Sequence, residues 1–502
     1  MVTLNFADLF PPEHPVPQLL ATIRRLNLEK FDCGYSNDGR EGGRPAYPVD
    51  RMLALIIYSL LYGNLSMRNL ERDMTQRADL MFLSGGLTID HSSISRFRKR
   101  HANAIQDVFT QTVFLGVEAG LIDLDVVCID STKIKASANR RDIGTQADME
   151  KRLALVEEAC QKRHAEWEAE TDADGREFLE RKKEKLEKAK AKLQQGIDFL
   201  KSHTERKRIH LTDPDADWHK ESGSLIIGYS AQAAVDAASG MVVHTEVVTG
   251  QADSNYTKSM IDAVENVKKN VLPEKVSETK HVLDSGYASE ANLSSLSDRD
   301  IYMPDRDFAR LTGGGKIKPE DRKDVKKQEQ IANETALQFT YAPSTNSFQC
   351  PQNQTLEFKR EKKLKGVSYS QFVAQSCRQC PLHGVCAGVD KSRKHLWVQT
   401  ADLAQMKIKR VARHGEKPIK KENTNPLTLA MREKLSTPEG RKIHAKRFPV
   451  VEGCFGVVKN VRQGWRFLRR RLDRVQVEWA ERMIAHNLAK LIGFRQVDYQ
   501  TA

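Results

Sequence analysis

The sequence predicts a mixed α/β fold, in which helices flank a mixed sheet, with an all-α N-terminal domain and a charged helical hairpin insert. Three observations favour this fold. Strand-like and helical segments alternate between residues 121 and 304, as is typical of a sheet with helices packed on it. Residues 49–101 have helical apolar spacing. Residues 145–208 are highly charged and nearly free of glycine and proline, which favours long exposed helices.

The N-terminal domain is predicted to span residues 1–115 and to contain short helices. The first covers "VDRMLALIIYSLLY" (49–62), the second starts at "MRNLERDM" and reaches the region of Leu80, and the third is capped by Ser92 or Ser93. The last helix is rich in basic residues, which predicts a helix-turn-helix-like unit that contacts DNA. An ordinary helical packing domain with a solvated basic face is an equal alternative. The DNA-contacting candidates are Arg96, Arg98 and Arg100.

The charged segment is predicted to be an antiparallel helical hairpin over residues 145–210, because "TDADG" (171–175) divides it into two halves. A solvated spacer is the favoured role, and contact between its basic end and a phosphate backbone is the alternative. The other predicted parts are residues 116–144 and 211–305 for the core, 306–425 for an insert, and 426–502 for the C-terminal helical part of the core.

The composition points to a polyanionic partner. Lysine and arginine number 80 against 67 aspartates and glutamates, which gives the 502-residue chain a net charge of +13. Such an excess favours nucleic acid. No uninterrupted apolar stretch approaches about 18 residues, and the first residues lack the basic and apolar regions of a secretory signal. We therefore expect a cytoplasmic protein that has no membrane partner.

Two predicted strands end on an aspartate: "VVCID" at Asp130 and "HVLD" at Asp284. Neighbouring strand ends form the usual ligand crevice of such sheets, so these carboxylates are expected to lie side by side. Facing carboxylates repel each other unless a cation lies between them, and Mg²⁺ suits such a pair. A third acid is expected from a helix, and Glu452 is the best candidate. From Arg441 to Arg474, eleven lysines and arginines accompany only two acids.

Several segments together resemble the DDE transposases of bacterial insertion sequences. The resemblance implies an RNase H-like core in which Asp130, Asp284 and Glu452 bind two Mg²⁺ (or Mn²⁺) ions. It also implies cleavage and transfer of DNA strands at the ends of the element. The matching segments are "GRPAYPVDRMLALIIYSLLYGNLSMRNLERD", "DHSSISRFRKRH", "CIDSTKIKASANRRD", "LTDPDADWHK", "IIGYSAQAAVD", "VLDSGYASEANL", "VVEGCFGVVKN" and "VEWAERMIAHNLAKL".

Basic residues around Glu452 are the further candidates that the resemblance implies. Lys459 fits the lysine that several relatives have near the glutamate, Arg447 fits an arginine, and His444 stands where those relatives have tyrosine. Helical spacing places Glu452, Lys459 and Arg462 on one face. Lys459, Arg447, Arg462 and Arg466 are the expected contacts to DNA phosphates.

The expected partners are double-stranded DNA, as the terminal inverted repeats and the target, and a second copy of the chain on paired ends. A nucleoid-associated location in the bacterial cytoplasm would follow. Two alternatives remain open. One is a catalytically inactive or domesticated DNA-binding repressor, and the other is a metal-dependent nuclease that cuts without joining.

Four clustered cysteines predict a structural Zn²⁺ site in the insert. Cys350, Cys377, Cys380 and Cys386 form the pattern C…C-x2-C-x5-C, whose ligand number and type suit tetrahedral zinc. His383 could replace one thiolate. Free thiols are the alternative, because the spacing is looser than that of two CxxC pairs.

Overall fold

The fold is described from a computed structural model, which divides into two compact units. One contains Met1–Asp305 and Met431–Ala502, and the other contains Arg306–Ala430. In the described residues no helix is both long and apolar enough to cross a membrane. The described residues are 9–31, 46–64, 66–204, 206–221, 224–250, 252–311, 338–350, 352–364, 367–380, 393–400, 403, 407–409 and 425–493.

Helices make up the N-terminal region, as predicted. Helix α2 is buried along its length because it packs against α1, α4 and the C-terminal helix of the chain. The predicted second helix is two helices, because the backbone becomes extended at Arg77, whose Nε donates to Asp79 at 3.1 Å. Where this region is described, its α-helices are α1 (Pro15–Arg24), α2 (Val49–Leu61), α3 (Met67–Asp73), α4 (Ala78–Ser84), α5 (His91–Arg100) and α6 (Ala102–Glu118).

The N-terminal cap of α5 differs from the prediction of Ser92 or Ser93. Asp90 is the cap, and its Oδ1 accepts a hydrogen bond from the Ser93 backbone nitrogen at 2.8 Å. A carboxylate at this position satisfies a free N–H group and interacts favourably with the positive end of the helix dipole.

A mixed sheet follows the helical region, which confirms the predicted α/β fold. Its order is β4-β5-β1-β7-β8, with β6 paired to β5; β1 is antiparallel to β5 and parallel to β7. Strands β2 and β3 pair separately. The strands are β1 (Val126–Lys135), β2 (Ile143–Gly144), β3 (Ile209–His210), β4 (Asp217–Glu221), β5 (Ser224–Asp236), β6 (Val242–Val248), β7 (Lys280–Leu283) and β8 (Ile301–Tyr302).

The predicted helical hairpin is also confirmed, as α7 (Gln146–Ala169) and α8 (Ala173–Ser202). Thr145 and Asp148 form a capping box at the start of α7, which satisfies two backbone N–H groups. The inner end of the hairpin has a small apolar core of Met149, Leu193, Ile197, Leu200 and Ile209. Two shorter helices pack around the sheet after β6: α9 (Thr257–Val271) and α10 (Glu290–Ser295).

The second unit contains an antiparallel sheet that the sequence analysis did not predict. Its order is β13-β12-β11-β10-β9-β14, and Phe339, Phe348 and Phe372 lie in its apolar core. The elements are α11 (Arg306–Leu311), β9 (Gln338–Ala342), β10 (Ser347–Gln349), β11 (Thr355–Leu364), β12 (Val367–Ala374), β13 (His395–Gln399) and β14 (Lys407–Lys409).

The C-terminal part of the chain returns to the first unit. Its glutamate segment contains two π-helices, Phe448–Glu452 and Val457–Val461, on either side of a single α-turn. These π-helices differ from the regular helical spacing used in the prediction. The α-helices are α12 (Pro426–Ser436), α13 (Pro438–Ala445), α14 (Gly453–Gly456) and α15 (Leu472–Leu491), and α15 packs on α2, α6 and β6.

Candidate active site

Asp130 and Asp284 lie on neighbouring strands of the mixed sheet. Ile129 of β1 pairs with Leu283 of β7 in parallel register, and the next residues in the sequence are Asp130 and Asp284. Asp284 follows the end of β7, as predicted. Asp130 does not end its strand, because β1 continues to Lys135 and Asp130 pairs with Ala233 of β5. Pairing with β5 at Asp130, and with β7 up to Ile129, thus fixes the backbone that presents Asp130.

Arg447 lies between the two aspartates. Its Nη1 donates to Asp130 Oδ2, and its Nη2 is 3.8 Å from Asp284 Oδ1. The Asp130 side chain is 14% exposed and that of Asp284 is 45% exposed. The guanidinium therefore occupies a place where one cation can interact with both carboxylates.

Several charged groups near Asp130 affect the pKa of its carboxyl. Burial raises the pKa of the Asp130 carboxyl to about 7, and the negative charges of Asp284 and Glu452 act in the same direction. Arg447 and a hydrogen bond from the Ser131 backbone nitrogen, 2.7 Å long, lower the pKa. Burial and like charge outweigh these two favourable contacts, so Asp130 is harder to ionise than an exposed aspartate.

Glu452 ends the first π-helix and is exposed. It is near enough to Asp130 for its charge to act there. Within the described residues, however, no three histidine, cysteine, aspartate or glutamate side chains are grouped closely enough to hold one metal ion. Carboxylate oxygens are suitable Mg²⁺ donors, and Arg447 marks a cation position between two of them. The donor set fits a divalent ion, although Glu452 does not complete a three-donor group in this conformation.

His444 and Arg447 enter the site from α13 and the residues after it. Burial is the main cause that lowers the pKa of the His444 imidazole, and the charge of Arg447 lowers it further. The ring bonds to the backbone of Leu283 and lies near Asp284. The histidine that stands at the expected tyrosine position is thus beside the second aspartate.

Lys459 forms an ion pair with Glu221 at the end of β4, and its side chain is 16% exposed. For Lys459 to contact a phosphate, as predicted, the phosphate must replace Glu221 as its partner. Arg466 is exposed, and its backbone lies beside Lys135 of β1. Because the Arg466 side chain is exposed, it is accessible for the predicted phosphate contact.

Arg462 does not share an exposed face with Glu452, which corrects the prediction for this residue. It is 8% exposed, and burial lowers the pKa of its guanidinium to about 10. It lines a small enclosed space with Leu60 of α2, and its Nη1 has no hydrogen-bond partner within the described part of the chain. The second π-helix ends at Val461, and the chain turns inward there. Arg462 is therefore placed for packing rather than for DNA contact.

The basic residues of α5 divide into two groups. Arg96 and Arg100 are exposed, as the prediction of DNA contact requires. Arg98 is 6% exposed, and its Nε donates to both carboxylate oxygens of Glu481 in α15, at 2.8 and 3.0 Å. The predicted DNA contact of Arg98 is thus corrected, because this arginine joins the N-terminal helices to the core.

A partly buried polar cluster beside the two aspartates was not anticipated from the sequence. Lys133 of β1 donates to Ser131, Ser230 and Asp253, and Gln232 also donates to Asp253. The one signal for this cluster in the sequence is the alternation of polar residues in "DSTKIK", which indicates a polar second face of β1. Asp253 has no comparable signal, because its partners are distant in sequence.

Three of the four clustered cysteines fall within the described residues; Cys386 and His383 lie outside them. Cys350, Cys377 and Cys380 pack against the core of the second unit. Cys350 Sγ accepts hydrogen bonds from the backbone nitrogens of Gln352 and Gln354, at 3.4 and 3.2 Å. Cys377 Sγ accepts one from Lys394 at 3.3 Å. The described cysteines are not grouped closely enough to hold a metal by themselves.

Comparison with known families shows what two parts of the chain resemble. A family model described as a transposase DDE domain matches residues 349–492. A second, described as a transposase domain (DUF772), matches residues 4–100. Residues 349–492 and 4–100 are thus each similar to a transposase domain. More narrowly, the two matches support an insertion-sequence DDE transposase, which confirms the resemblance found in the sequence. The matched residues include Glu452 but neither Asp130 nor Asp284. No curated protein matches the chain.

Proposed function

We propose that this protein cuts and joins DNA strands at the ends of an insertion sequence, with Asp130, Asp284 and Glu452 as its catalytic acids. The observation that supports this proposal best is the convergence of Asp130 and Asp284 on one cationic group, Arg447. The sheet supports an RNase H-like core, since the acid-bearing strands β1 and β7 are adjacent and parallel, and β5 and β6 extend the sheet antiparallel.

The acids would bind two divalent ions, Mg²⁺ or Mn²⁺. Bound ions of this kind activate the attacking hydroxyl and stabilise charge on the phosphate and leaving oxygen. Asp130 and Asp284 serve as ligands on a rigid backbone, because both follow paired strand residues. Glu452 lies on a segment of π-helices, which often occur at functional sites. A local change in this segment would bring its carboxylate to the other two.

Arg447 and Lys459 have a second task in this proposal. Each is held by an acid in the DNA-free protein, Arg447 by Asp130 and Lys459 by Glu221. When Asp130 receives another positive partner, the Arg447 guanidinium is released for a phosphate, which it can bind with two parallel hydrogen bonds. Arg466, Arg96 and Arg100 would hold more distant phosphates. The DNA partners would be the terminal repeats and target, bound by two copies of the chain.

The test combines the purified protein, labelled element ends, a target plasmid and Mg²⁺ or Mn²⁺. We expect joined products. Cleavage without joining would instead support the nuclease, and binding without either product would support the repressor. Asp130→Asn, Asp284→Asn and Glu452→Gln should each reduce joining by about a thousandfold or more, with DNA affinity retained. Asp262→Asn is the matched control, because Asp262 is an acid of α9 in a surface pair with Lys258. Normal joining by any of the first three variants would remove that acid from the site.

We also propose that the four clustered cysteines hold one structural zinc ion. Cys350, Cys377 and Cys380 pack against the same apolar core, and backbone N–H groups donate to Sγ of Cys350 and Cys377, which supports this. Metal analysis of protein purified without chelator should find about one zinc per chain. Cys377→Ser should lower this content, and Cys160→Ser, which changes a thiol of the hairpin, should leave it unchanged. Folded wild-type protein free of zinc would contradict the site.

A further inference from the structure

The partly buried polar cluster next to the aspartates joins two strands on one face of the sheet. Ser131 pairs with Gln232 and Lys133 pairs with Ser230 across β1 and β5, so these four side chains are neighbours on the same face. Asp130 points to the other face by strand alternation. The cluster therefore lies on the face of β1 opposite to the Asp130 side chain.

Asp253 is the acceptor that holds this cluster together. It begins the 3₁₀-helix Asp253–Tyr256 and is 19% exposed. Its carboxylate accepts Lys133 Nζ at 2.9 and 3.2 Å and Gln232 Nε2 at 2.9 Å. Lys133 also donates to Ser131, the residue next to Asp130, at 2.9 Å. A charged pair of this kind, with further hydrogen bonds on both partners, holds its strands in one arrangement.

The same cluster reaches the turn that follows Asp284. The Tyr287 hydroxyl donates to Gln232 Oε1, and the Tyr287 backbone nitrogen bonds to the Asp284 carbonyl at 3.1 Å. A Cβ atom at Gly286 would be 3.7 Å from Asp253 Oδ2 and 4.0 Å from Asp284 Oδ2. Asp253 and Asp284 thus border the same small space, which glycine leaves open.

We propose that Asp253 is a positioning residue for the reaction. Through Lys133 it holds β1, and through Gln232 and Tyr287 it holds the turn that carries Asp284. It thereby sets the separation of the Asp130 and Asp284 carboxylates. Lys133 has the further task of neutralising Asp253, which would otherwise add an uncompensated negative charge beside Asp284. The inference rests on the proposed function, since it concerns the same pair of acids.

The test measures Mn²⁺ binding to the DNA-free protein by electron paramagnetic resonance, together with strand joining and thermal unfolding. Asp253→Asn should weaken Mn²⁺ binding and slow joining by about 10- to 100-fold, as for other residues that orient metal ligands. Lys133→Met should be worse than the double variant Lys133→Met/Asp253→Asn, because only the single variant leaves Asp253 unneutralised. Asp262→Asn is the matched control, since it makes the same change of residue type in a surface pair of α9, and it should leave Mn²⁺ binding and joining unchanged.

Tyr287→Phe tests the same connection without a change of charge. It removes the hydroxyl that reaches Gln232, and it should weaken Mn²⁺ binding by a smaller factor in protein that remains folded. Wild-type Mn²⁺ affinity in folded Asp253→Asn and Tyr287→Phe would overturn the inference, as would losses that only follow the unfolded fraction. A wild-type protein that binds Mn²⁺ but neither cuts nor joins DNA would overturn the proposed function, and the Mn²⁺ measurements would still decide the role of Asp253.

Discussion

Two arginine–carboxylate ion pairs of this protein differ in burial and in their hydrogen bonds. We call Arg98–Glu481 the closed pair and Arg447–Asp130 the open pair. In the Arg98–Glu481 pair, the side chains are 7% and 1% exposed, and Nε and Nη2 of the arginine both donate to the glutamate. In the Arg447–Asp130 pair, one nitrogen donates to one carboxylate, and a second acid, Asp284, is only partly buried. Arg447 Nε has no hydrogen-bond partner in the described part of the chain.

The difference separates an ion pair that holds helices together from one that can exchange partners. Removing either member of the closed pair leaves the other buried charge without its hydrogen-bonded partner, so the pair is costly to break. The open pair has two acids and one arginine, so another cation can replace the guanidinium without leaving a carboxylate unsatisfied. Completeness of the hydrogen bonds, rather than the presence of an ion pair, is what distinguishes the candidate site.

Removal of each arginine is the strongest test of this comparison. Arg98→Ala should lower the free energy of unfolding by about 3–5 kcal/mol, because buried Glu481 then loses its hydrogen-bonded ion-pair partner. Arg447→Ala should lower it by no more than about 1–2 kcal/mol, since its site is partly open. Urea unfolding of both variants and the wild type measures the difference. Equal losses would remove the distinction between the two pairs.

The pH dependence of stability is the next test. The pKa of Asp130 is raised to about 7 in the folded protein, mainly by burial. A carboxyl with a raised pKa stabilises the fold while it is protonated, and this contribution is lost as the pH rises through 7. Without divalent ions, Asp130 should therefore contribute about 2–3 kcal/mol more stability at pH 5 than at pH 8.

Asp130→Asn isolates that contribution, because it removes this titration and leaves the other buried carboxyls unchanged. The difference in unfolding free energy between wild type and variant should shift in favour of the wild type as the pH falls from 8 to 5. A difference that stays constant over this range would mean that Asp130 has no raised pKa in the folded protein.

The sequence predicted those features that depend on local patterns. Asp284 follows a short strand as expected, and the hairpin follows its charge pattern and its break. Arg98 had a local signal that composition alone hides, because residues 94, 97, 98 and 101 lie on one helical face and all four are buried. The prediction for Arg98 was wrong because it rested on the number of basic residues and not on their positions around the helix.

Other features depend on contacts between distant segments and had no local signal. Arg462 is buried because a π-helix ends before it and α2 covers it. Asp253 gains its role from Lys133, which is 120 residues away in sequence. The antiparallel sheet of the second unit was not predicted, because the prediction for this segment rested on its cysteines. Regular periodicity cannot anticipate such contacts.

The exposed arginines of α5 provide the last and smallest test. Arg96→Ala and Arg100→Ala should each weaken DNA binding severalfold on any sequence and reduce the salt slope by about 1, as expected for a phosphate contact. Unfolding free energy should change by less than about 0.5 kcal/mol. Binding titrations at several salt concentrations measure both effects. Arg98→Ala is the comparison, since its main effect should be on stability. If Arg96→Ala and Arg100→Ala left the salt slope unchanged, α5 would be a packing helix with a solvated basic face, and DNA contact would have to come from the basic residues near Glu452.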